Sequence, residues 1–366
     1  MREVLISGYY GFKNSGDDAL LQAIINDLKT TSPDRKIVVL SKNPEETKKT
    51  YNVFAINRLN PFAIIFHMLK AKLLISGGGT LIQDATSTKS LIYYLSVISI
   101  AKIMGIRVML YANGIGPVVS DKNKILTKKV LNRTDCITLR DEKSFGVLCD
   151  LGVTKPQIKI TADPVFTIES SDKSVGKKIL KENGVPDNKK LLGISVRGWK
   201  NSDPEFKEKL AFSIDEICKK HSLFPVFLPL QPKDEKVCVD VASLLTSPYV
   251  ILKEHLFIDD MLSVIGNLDI AIGMRLHMLI YAAKCAVPII GICYDPKISG
   301  FMDYAKQGKY VYAENLDKDA LILRACEIFD NYEEIKKTLV LTSQKMQALA
   351  KENSECASSL LQEGKR

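Results

Sequence analysis

Short apolar segments alternate with helical patterns along the chain, and this alternation limits the folds that it can adopt. In the first half, the candidate strands are residues 4–7, 37–40, 73–76, 108–113 and 137–139. Residues 17–29 and 90–104 have the apolar spacing of helices. Strands that alternate with helices predict parallel sheets covered by helices on both faces.

The second half repeats this alternation. Its candidate strands are 192–196, 225–228, 269–272 and 287–292, and its candidate helices are 205–221, 234–245, 258–267 and 277–284. The polar stretch 169–178 is the candidate linker. We therefore expect an α/β protein with two Rossmann-like domains, 1–168 and 179–335, facing each other across a cleft. A C-terminal helix at 336–366 follows, for which packing back on the first domain is one option.

Charge and cysteine content narrow the functional class. The net charge of +9 favours an anionic partner, such as a phosphorylated substrate, an acidic polysaccharide or inner-leaflet phospholipid. Nucleic acid is not expected, because the lysines are scattered and no basic tract or zinc-finger spacing occurs. Eight cysteines without a C-x-x-C pair predict reduced thiols and no zinc site.

The sequence predicts a cytoplasmic protein. A strand pattern begins at residue 4, so no signal peptide is expected, and no apolar run near the front reaches the length of a bilayer span. The apolar segment 61–69 is followed by Lys70 and Lys72. We interpret it as a core helix, with contact at the inner face of the membrane as the alternative.

The segment Gly273-Met274-Arg275-Leu276-His277 joins an apolar strand pattern to a helical one. Backbone N–H groups and the helix dipole favour an anion at such a junction, and open α/β sheets bind ligands at that edge. His277 is therefore a candidate general acid or base. The alternative is a histidine that only caps or packs the helix start.

The turn after the first strand contains Gly8, Gly11 and Gly16, followed by two carboxylates. It is neither G-x-G-x-x-G nor a P-loop, which argues against a nicotinamide or ATP cofactor. Asn14, Asp17 and Asp18 are candidate ligand-binding residues in this turn. Alternatively, Asp17 and Asp18 only cap the helix.

A second glycine turn, Gly77-Gly78-Gly79, follows the strand at 73–76. Its backbone N–H groups could bind a sugar or a phosphate, with Gln83 and Asp84 as polar contacts. Alternatively, the glycines only turn the chain.

Cations occur at the predicted strand ends of both halves: Arg140, Arg197, Arg275 and Lys297. Guanidinium forks match carboxylate and phosphate. This recurrence predicts a site for a compact anion that carries several charges.

Together these segments resemble the polysaccharide pyruvyl transferase family over roughly residues 1–310. The motifs that carry the resemblance are G-Y-Y-G…N-S-G-D, S-G-G-G-T-L-I-Q-D, N-G-I-G-P, L-R-D-E-x-S, S-V-R-x-W and M-R-L-H followed by P-I-I-G-I-C-Y-D-P-K. Within the family, the chain looks most like the CsaB type, which pyruvylates the secondary cell wall polysaccharide that anchors S-layer proteins.

The resemblance implies a GT-B-like fold and transfer of a pyruvyl group from phosphoenolpyruvate (PEP) to two sugar hydroxyls as a ketal. For the CsaB type, it implies a 4,6-ketal on N-acetylmannosamine in a lipid-linked disaccharide. No nucleotide cofactor and no metal are implied. By motif position, His277, Arg140 and Asp17 match family residues. The family usually has Glu where this chain has Asp18.

In the resulting hypothesis, His277 is the general acid or base, and Arg140, Arg197 and Arg275 bind the PEP carboxylate and phosphate. Asp17 orients or deprotonates an acceptor hydroxyl. Gly77–Gly79 and Gln83 hold the acceptor sugar, and Lys297 is a weaker phosphate ligand. The alternatives are a GT-B glycosyltransferase with a nucleotide-sugar donor, a non-enzymatic sugar-binding protein and, least favoured, a dinucleotide-dependent oxidoreductase.

Overall fold

The computed structural model describes residues 3–85, 87–169, 172–199, 205–252, 256–308 and 310–362. The chain forms two compact units. The first comprises Met1–Ile168 and Met346–Arg366, and the second comprises Glu169–Lys345.

In the described part of the first unit, eight strands form one sheet. The strands are β1 (Glu3–Tyr10), β2 (Lys36–Ser41), β3 (Phe54–Asn57), β4 (Ala71–Ser76), β5 (Gly79–Ile82), β6 (Arg107–Ile115), β7 (Cys136–Leu139) and β8 (Gln157–Ile160). Their order is β3-β2-β1-β4-β6-β7-β8, with β5 paired to β6, and each pairing is parallel. The helices are α1 (Ser15–Thr31), α2 (Pro44–Tyr51), α3 (Pro61–Met68), α4 (Thr88–Ile103), α5 (Asp121–Leu131) and α6 (Glu142–Asp150).

The first sheet is buried on both faces. One apolar cluster joins its strands to α3 and α4, and a second joins them to α1 and to the end of the C-terminal helix. Near-continuous runs such as Lys36–Ser41 form the central strands, as expected where both faces are covered. Because the strands are parallel, their carboxyl ends, with the loops that follow them, lie at one edge.

The second unit repeats this architecture. Its strands are β9 (Lys190–Ser195), β10 (Leu223–Phe227), β11 (Val250–Ile251), β12 (Ile270–Gly273), β13 (Ile289–Cys293) and β14 (Tyr310–Tyr312). Their order is β11-β10-β9-β12-β13-β14, again with parallel pairings. The helices are α7 (Lys173–Glu182), α8 (Phe206–His221), α9 (Asp234–Ala242), α10 (Ile258–Ile265), α11 (Leu276–Lys284), α12 (Pro296–Tyr304), α13 (Lys318–Asp330) and the start of α14 (Tyr332–Gln362).

Helix α14 contributes residues to both units: those up to Lys345 belong to the second and those from Met346 to the first. In the first unit, Asn353 is fully buried, donates to Ala162 O at 3.1 Å and accepts from Thr161 Oγ1 at 2.8 Å. Residues 363–366 of the expected helix 336–366 lie outside the described residues.

Two expectations need correction. The candidate linker 169–178 contains the start of α7, and residues 170 and 171 lie outside the described residues. Helix α7 packs so closely on α10 that Gly176 N donates to Ser263 Oγ at 2.6 Å.

The segment 61–69 is a helix but not a core helix. Ile64 and Met68 are buried, whereas Phe62 is 83% exposed and Leu69 72% exposed. The physical reason is that α3 contacts β1 and β3 with one side only. No helix among the described residues is long and apolar enough to cross a membrane.

Candidate functional site

Asp17 lies against the triple-glycine turn of the first unit. Asn14 is the N-cap of α1, because its Oδ1 accepts from Gly16 N at 3.2 Å, so this side chain has a structural task. A Cβ on Gly79 would lie 3.1 Å from Asp17 Oδ1. The carboxylate of Asp17, in the first turn of α1, therefore lies against the glycine turn at the carboxyl edge of the sheet.

The main chain of Asp18 contacts Tyr51 of α2. Tyr51 Oη donates to Asp18 O at 3.4 Å. Burial, followed by the charge of Asp18, raises the pKa of Tyr51. Of the two adjacent carboxylates, Asp17 has the contact with Gly79, and which of them faces a ligand stays a prediction.

Close packing explains why glycine occupies most of the three positions of this turn. Gly77 N donates to Ser7 O at 2.8 Å, and a Cβ on Gly77 would overlap the hydroxyl of buried Tyr10. Gly78 leaves no room for a Cβ because α1 packs against it. Gly79 has φ +93°, a conformation that favours glycine. The Gly77 N–H is thus used within the sheet, and the ligand-binding role of the turn stays a prediction.

Asn113 fixes this turn from the neighbouring strand. The side chain is fully buried, and its Nδ2 donates to Ser76 O at 3.0 Å, Gly77 O at 3.2 Å and Tyr111 O at 3.1 Å. The sequence placed Asn113 in a strand-end motif but gave no sign of this positioning role.

Gln83 and Asp84 follow β5. Gln83 is half-buried. Asp84 accepts hydrogen bonds from Val119 N at 2.7 Å, Ser120 N at 3.1 Å and Asn123 Nδ2 at 2.8 Å. Desolvation opposes ionisation of Asp84, but these hydrogen bonds outweigh it and lower its pKa. Asp84 therefore fastens the loop at 117–123, which corrects its interpretation as a ligand contact.

Arg140 lies at the same turn as Asp17. It follows β7, its side chain is 6% exposed, and its Nη2 donates to Thr80 Oγ1 at 2.9 Å. A Cβ on Gly114 would lie 2.8 Å from Arg140 Nη2, so this glycine makes room for the guanidinium. Since Thr80 directly follows Gly79, the structure brings Arg140, the glycine turn and Asp17 together.

Two carboxylates flank Arg140. Asp141 Oδ2 is 3.6 Å from Nε, and Asp163 Oδ2 is 3.7 Å from Nη1. Asp141 also caps α6 by accepting from Ser144 N at 2.7 Å. Burial raises the pKa of Asp163, and the charge of Arg140 opposes this shift. Asp163 was not predicted from the sequence; the available signal was the Asp-Pro pair that shortly follows β8.

Arg58 is a further cation that the sequence analysis missed. It follows β3 and is buried; Nη1 donates to Gly8 O at 3.1 Å, and Nη2 donates to Tyr94 Oη at 3.3 Å. Its guanidinium carbon lies 4.4 Å from the centre of the Tyr93 ring. Arg58 thus holds the first glycine turn through the backbone of Gly8.

In the second unit, Arg197 and Lys297 lie around Tyr294. Arg197 Nη1 donates to Tyr294 Oη at 2.8 Å. Lys297 Nζ lies 5.3 Å from the centre of the Tyr294 ring and 3.3 Å from Asp295 Oδ2. The structure therefore brings together two cations that are 100 positions apart in the sequence, with a tyrosine that the sequence analysis did not single out.

Arg275 is paired with a buried carboxylate. Its Nε donates to Asp234 Oδ2 at 2.8 Å and its Nη2 donates to Asp234 Oδ1, which makes the pair bidentate. Partial burial, then the charges of Arg275 and Arg197, lower the pKa of Lys233, while Asp234 raises it. Lys233, which was not predicted from the sequence, thus lies within reach of the charges of Arg197, Arg275 and Asp234.

His277 lies in the first turn of α11. Arg275 is the N-cap of this helix, and its side chain makes no capping hydrogen bond. The His277 ring is half-buried, with its centre 5.8 Å from that of Tyr281. The helix start, with an imidazole beside a cation cluster, suits an anionic ligand. No group of three or more His, Cys, Asp or Glu that could hold a metal ion occurs among the described residues.

Solved structures with the same fold include sugar-nucleotide enzymes. UDP-GlcNAc 2-epimerase from Neisseria meningitidis, bound to UDP-GlcNAc, has a TM-score of 0.65 at 14% identity, covering 99% of this chain and 100% of that chain. Anabaena Alr3699/HepE in complex with UDP-glucose has a TM-score of 0.67 at 13% identity, covering 97% and 99%. A glycosyltransferase from Rickettsia africae has a TM-score of 0.64 at 10% identity, covering 99% and 100%.

These likenesses define the class: the chain has the GT-B fold, with two Rossmann-like domains. The model of the polysaccharide pyruvyl transferase family matches residues 14–296. The chain belongs to that family and is a transferase. None of the curated proteins compared with the chain matches it in sequence.

Proposed function

We propose that the protein transfers a pyruvyl group from PEP to a sugar of a cell wall polysaccharide precursor and releases phosphate. The family match over residues 14–296 supports the reaction class. The structural observation that carries the choice of donor is the cation cluster of the second unit, in which Arg197 and Lys297 lie around Tyr294 and Arg275, paired with Asp234, stands at the start of α11.

The second unit binds PEP in this proposal. PEP carries a carboxylate and a phosphate, and planar guanidinium groups match both. Tyr294 Oη orients Arg197, and Asp234 orients Arg275. Lys233 and Lys297 add positive charge. No nucleotide or other organic cofactor is required.

The first unit binds the acceptor in this proposal. Asp17 at the glycine turn accepts a proton from one sugar hydroxyl or orients it. Thr80 directly follows this turn and Gln83 follows β5, and both offer further contacts to sugar hydroxyls. Arg140 is held by Thr80 Oγ1 at 2.9 Å and stabilises negative charge that develops during transfer. The preferred acceptor is N-acetylmannosamine in a lipid-linked disaccharide, as in the CsaB type, at its 4- and 6-hydroxyls. This would place the product in S-layer anchoring.

The reaction has four bond changes. C3 of PEP gains a proton from His277 and becomes a methyl group, which leaves positive character at C2. The first hydroxyl oxygen bonds to C2 and gives its proton to a base. The C2–O bond to phosphate breaks, and phosphate leaves with the electron pair. The second hydroxyl oxygen then bonds to C2 and closes the ketal. The two hydroxyls release two protons. One compensates for the proton that C3 took up, and the other goes to the released phosphate.

The test is incubation with PEP and a synthetic disaccharide lipid, measuring phosphate release and the mass of the product. We expect His277→Ala to abolish both readouts in a folded protein, because the proton donor to C3 is lost. His221→Ala is the matched control, since this histidine stacks on Phe329 with ring centres 4.2 Å apart and has no role in the proposal. Normal turnover by His277→Ala would remove His277 from the mechanism.

Two rival functions remain distinguishable. A glycosyltransferase with a nucleotide-sugar donor should be stabilised against heat by UDP-sugars and not by PEP; the proposal expects the opposite. A non-enzymatic sugar-binding protein would release no phosphate from PEP in the presence of acceptor.

A further inference from the structure

Helix α3 presents an apolar face to solvent. The exposed side chains follow helical spacing: Leu59 is 66% exposed, Phe62 83%, Ile65 43%, Phe66 53% and Leu69 72%. We call these five residues the α3 face. Scattered apolar residues are ordinary on a protein surface, but five on one short segment form a patch that marks an interaction site.

The α3 face is held firmly by the other side of the helix. Ile64 and Met68 are buried in the core of the first unit. Asn60 caps the helix by accepting from Ala63 N at 3.1 Å, and His67 Nδ1 lies 2.6 Å from buried Glu3 Oε2. The exposed side chains are thus displayed from an anchored helix.

The charge around this face is positive. No Asp or Glu occurs between Glu46 and Asp84. Lys70 Nζ lies 3.7 Å from the centre of the Phe66 ring, and Lys36 Nζ lies 3.7 Å from that of Phe54, itself 55% exposed. The acidic neighbour, Glu3, is buried and pairs with Lys36 at 3.2 Å. An anionic partner is therefore complementary to this surface.

We propose that the α3 face docks on the surface of an anionic lipid bilayer. Phenylalanine and aliphatic side chains with flanking lysines suit the headgroup boundary, where the rings insert and the ammonium groups meet lipid phosphate. A stable protein interface needs about 800 Å² from each partner and 20–30 residues. The α3 face, with five apolar side chains, is small for that purpose.

The α3 face begins next to the first glycine turn, which leads into α1 and so to Asp17 of the proposed acceptor site. Arg58, which directly precedes Leu59, donates to Gly8 O at 3.1 Å. Docking would bring this turn close to the bilayer, where a lipid-linked sugar is anchored. This last link rests on the proposed function, whereas the docking itself does not.

The test is cosedimentation with vesicles of phosphatidylcholine alone or with phosphatidylglycerol, containing neither PEP nor acceptor. We expect binding to the anionic vesicles that weakens with salt. The double substitution Phe62→Gln with Phe66→Gln should weaken it at least about tenfold, because two inserted rings are lost. Lys70→Glu should weaken binding to anionic vesicles only. Circular dichroism and the unfolding temperature confirm that the variants fold.

Phe212→Gln is the matched control. Phe212 is 47% exposed on α8 of the second unit, with Lys318 Nζ 4.6 Å from the ring centre, so it reproduces the exposed ring and its lysine. The Phe212→Gln variant should bind vesicles as tightly as the unsubstituted protein. Three results would overturn the proposal. The Phe62/Phe66 variant could bind vesicles as tightly as the unsubstituted protein, the protein could bind no vesicles at all, or it could self-associate through the α3 face without binding lipid. Vesicle binding without pyruvyl transfer to any acceptor would overturn the proposed function alone.

Discussion

Replacing Asp234 by alanine should destabilise the second unit, because it leaves the charge of Arg275 buried without its carboxylate. Asp234 is 1% exposed, and the Arg275 side chain is 11% exposed. The two side chains form a bidentate pair, with Nε 2.8 Å from Oδ2. This bidentate geometry is that of a structural ion pair, and it differs from that of an arginine whose guanidinium is available to a substrate.

The magnitude follows from the burial of the pair. At about 3 Å and an effective dielectric constant of about 20, the attraction is roughly 5 kcal/mol. Removing the carboxylate also removes its own desolvation cost, and breaking buried pairs typically costs about 3–5 kcal/mol. Because the guanidinium retains some exposure, we expect a loss of about 3 kcal/mol in the free energy of unfolding.

The assay is urea unfolding followed by the fluorescence of Trp199. This is the single tryptophan of the chain, and it lies in the second unit with its ring centre 4.5 Å from that of Phe206. Its signal therefore reports on the unit that contains the substitution. Asp240→Ala on the same helix is the matched control, because Asp240 forms a more exposed pair with Lys207 at 2.7 Å.

The control should change the free energy of unfolding by less than about 1 kcal/mol. Replacing both partners of the buried pair, with Asp234→Leu and Arg275→Met, should recover most of the loss. The reasoning is refuted if Asp234→Ala costs no more than Asp240→Ala.

Two further substitutions test the first unit. Burial raises the pKa of Asp27 from 3.8 to about 6, although the hydrogen bond from Tyr111 Oη at 2.7 Å lowers it. The protonated carboxyl therefore stabilises the fold below about pH 4, and this contribution is lost as the pH rises through about 6. Asp27→Asn should raise the free energy of unfolding by about 2 kcal/mol at pH 7, and by little at pH 4, in urea titrations; an equal gain at both pH values would contradict this. Arg140→Lys should lower the rate of phosphate release by about 10- to 100-fold with the fold retained, because an ammonium group cannot replace the fork; an unchanged rate would exclude that role.

The central strands could be predicted from sequence, and the edge strands could not. The strands β1, β2, β4, β6, β9 and β12 each carry an apolar run long enough to recognise. Five strands were missed. Four of them, β3, β8, β11 and β14, are the outermost strands of the two sheets, and the fifth, β5, starts inside the triple-glycine turn. An edge strand has one neighbour and is partly exposed, and these four are only two to four residues long, too short for a recognisable apolar run. Arg58 and Asp163 were missed for the same reason, because each follows an edge strand.

Residue type at a strand end could be predicted, but the partner of each charge could not. Arg275 and Asp234 are 41 positions apart, and the topology brings them together. Nothing in the local pattern of the segment 273–277 indicates that its arginine is already neutralised. Likewise, the apolar run of α3 contains too many apolar residues for one buried side, and the sequence does not tell which of them the sheet will cover.

A charged side chain that serves a substrate must be positioned without being neutralised, and the arginines of the two units differ in this respect. Arg275 gives two of its nitrogens to one carboxylate. Arg140 is fixed by the neutral hydroxyl of Thr80, but Asp141 and Asp163 lie 3.6 and 3.7 Å from its nitrogens and balance part of its charge. Arg197 is fixed by the neutral hydroxyl of Tyr294. Arg197 therefore keeps more of its charge for an anionic substrate than Arg275, which contributes more to the structure of the site than to ligand binding.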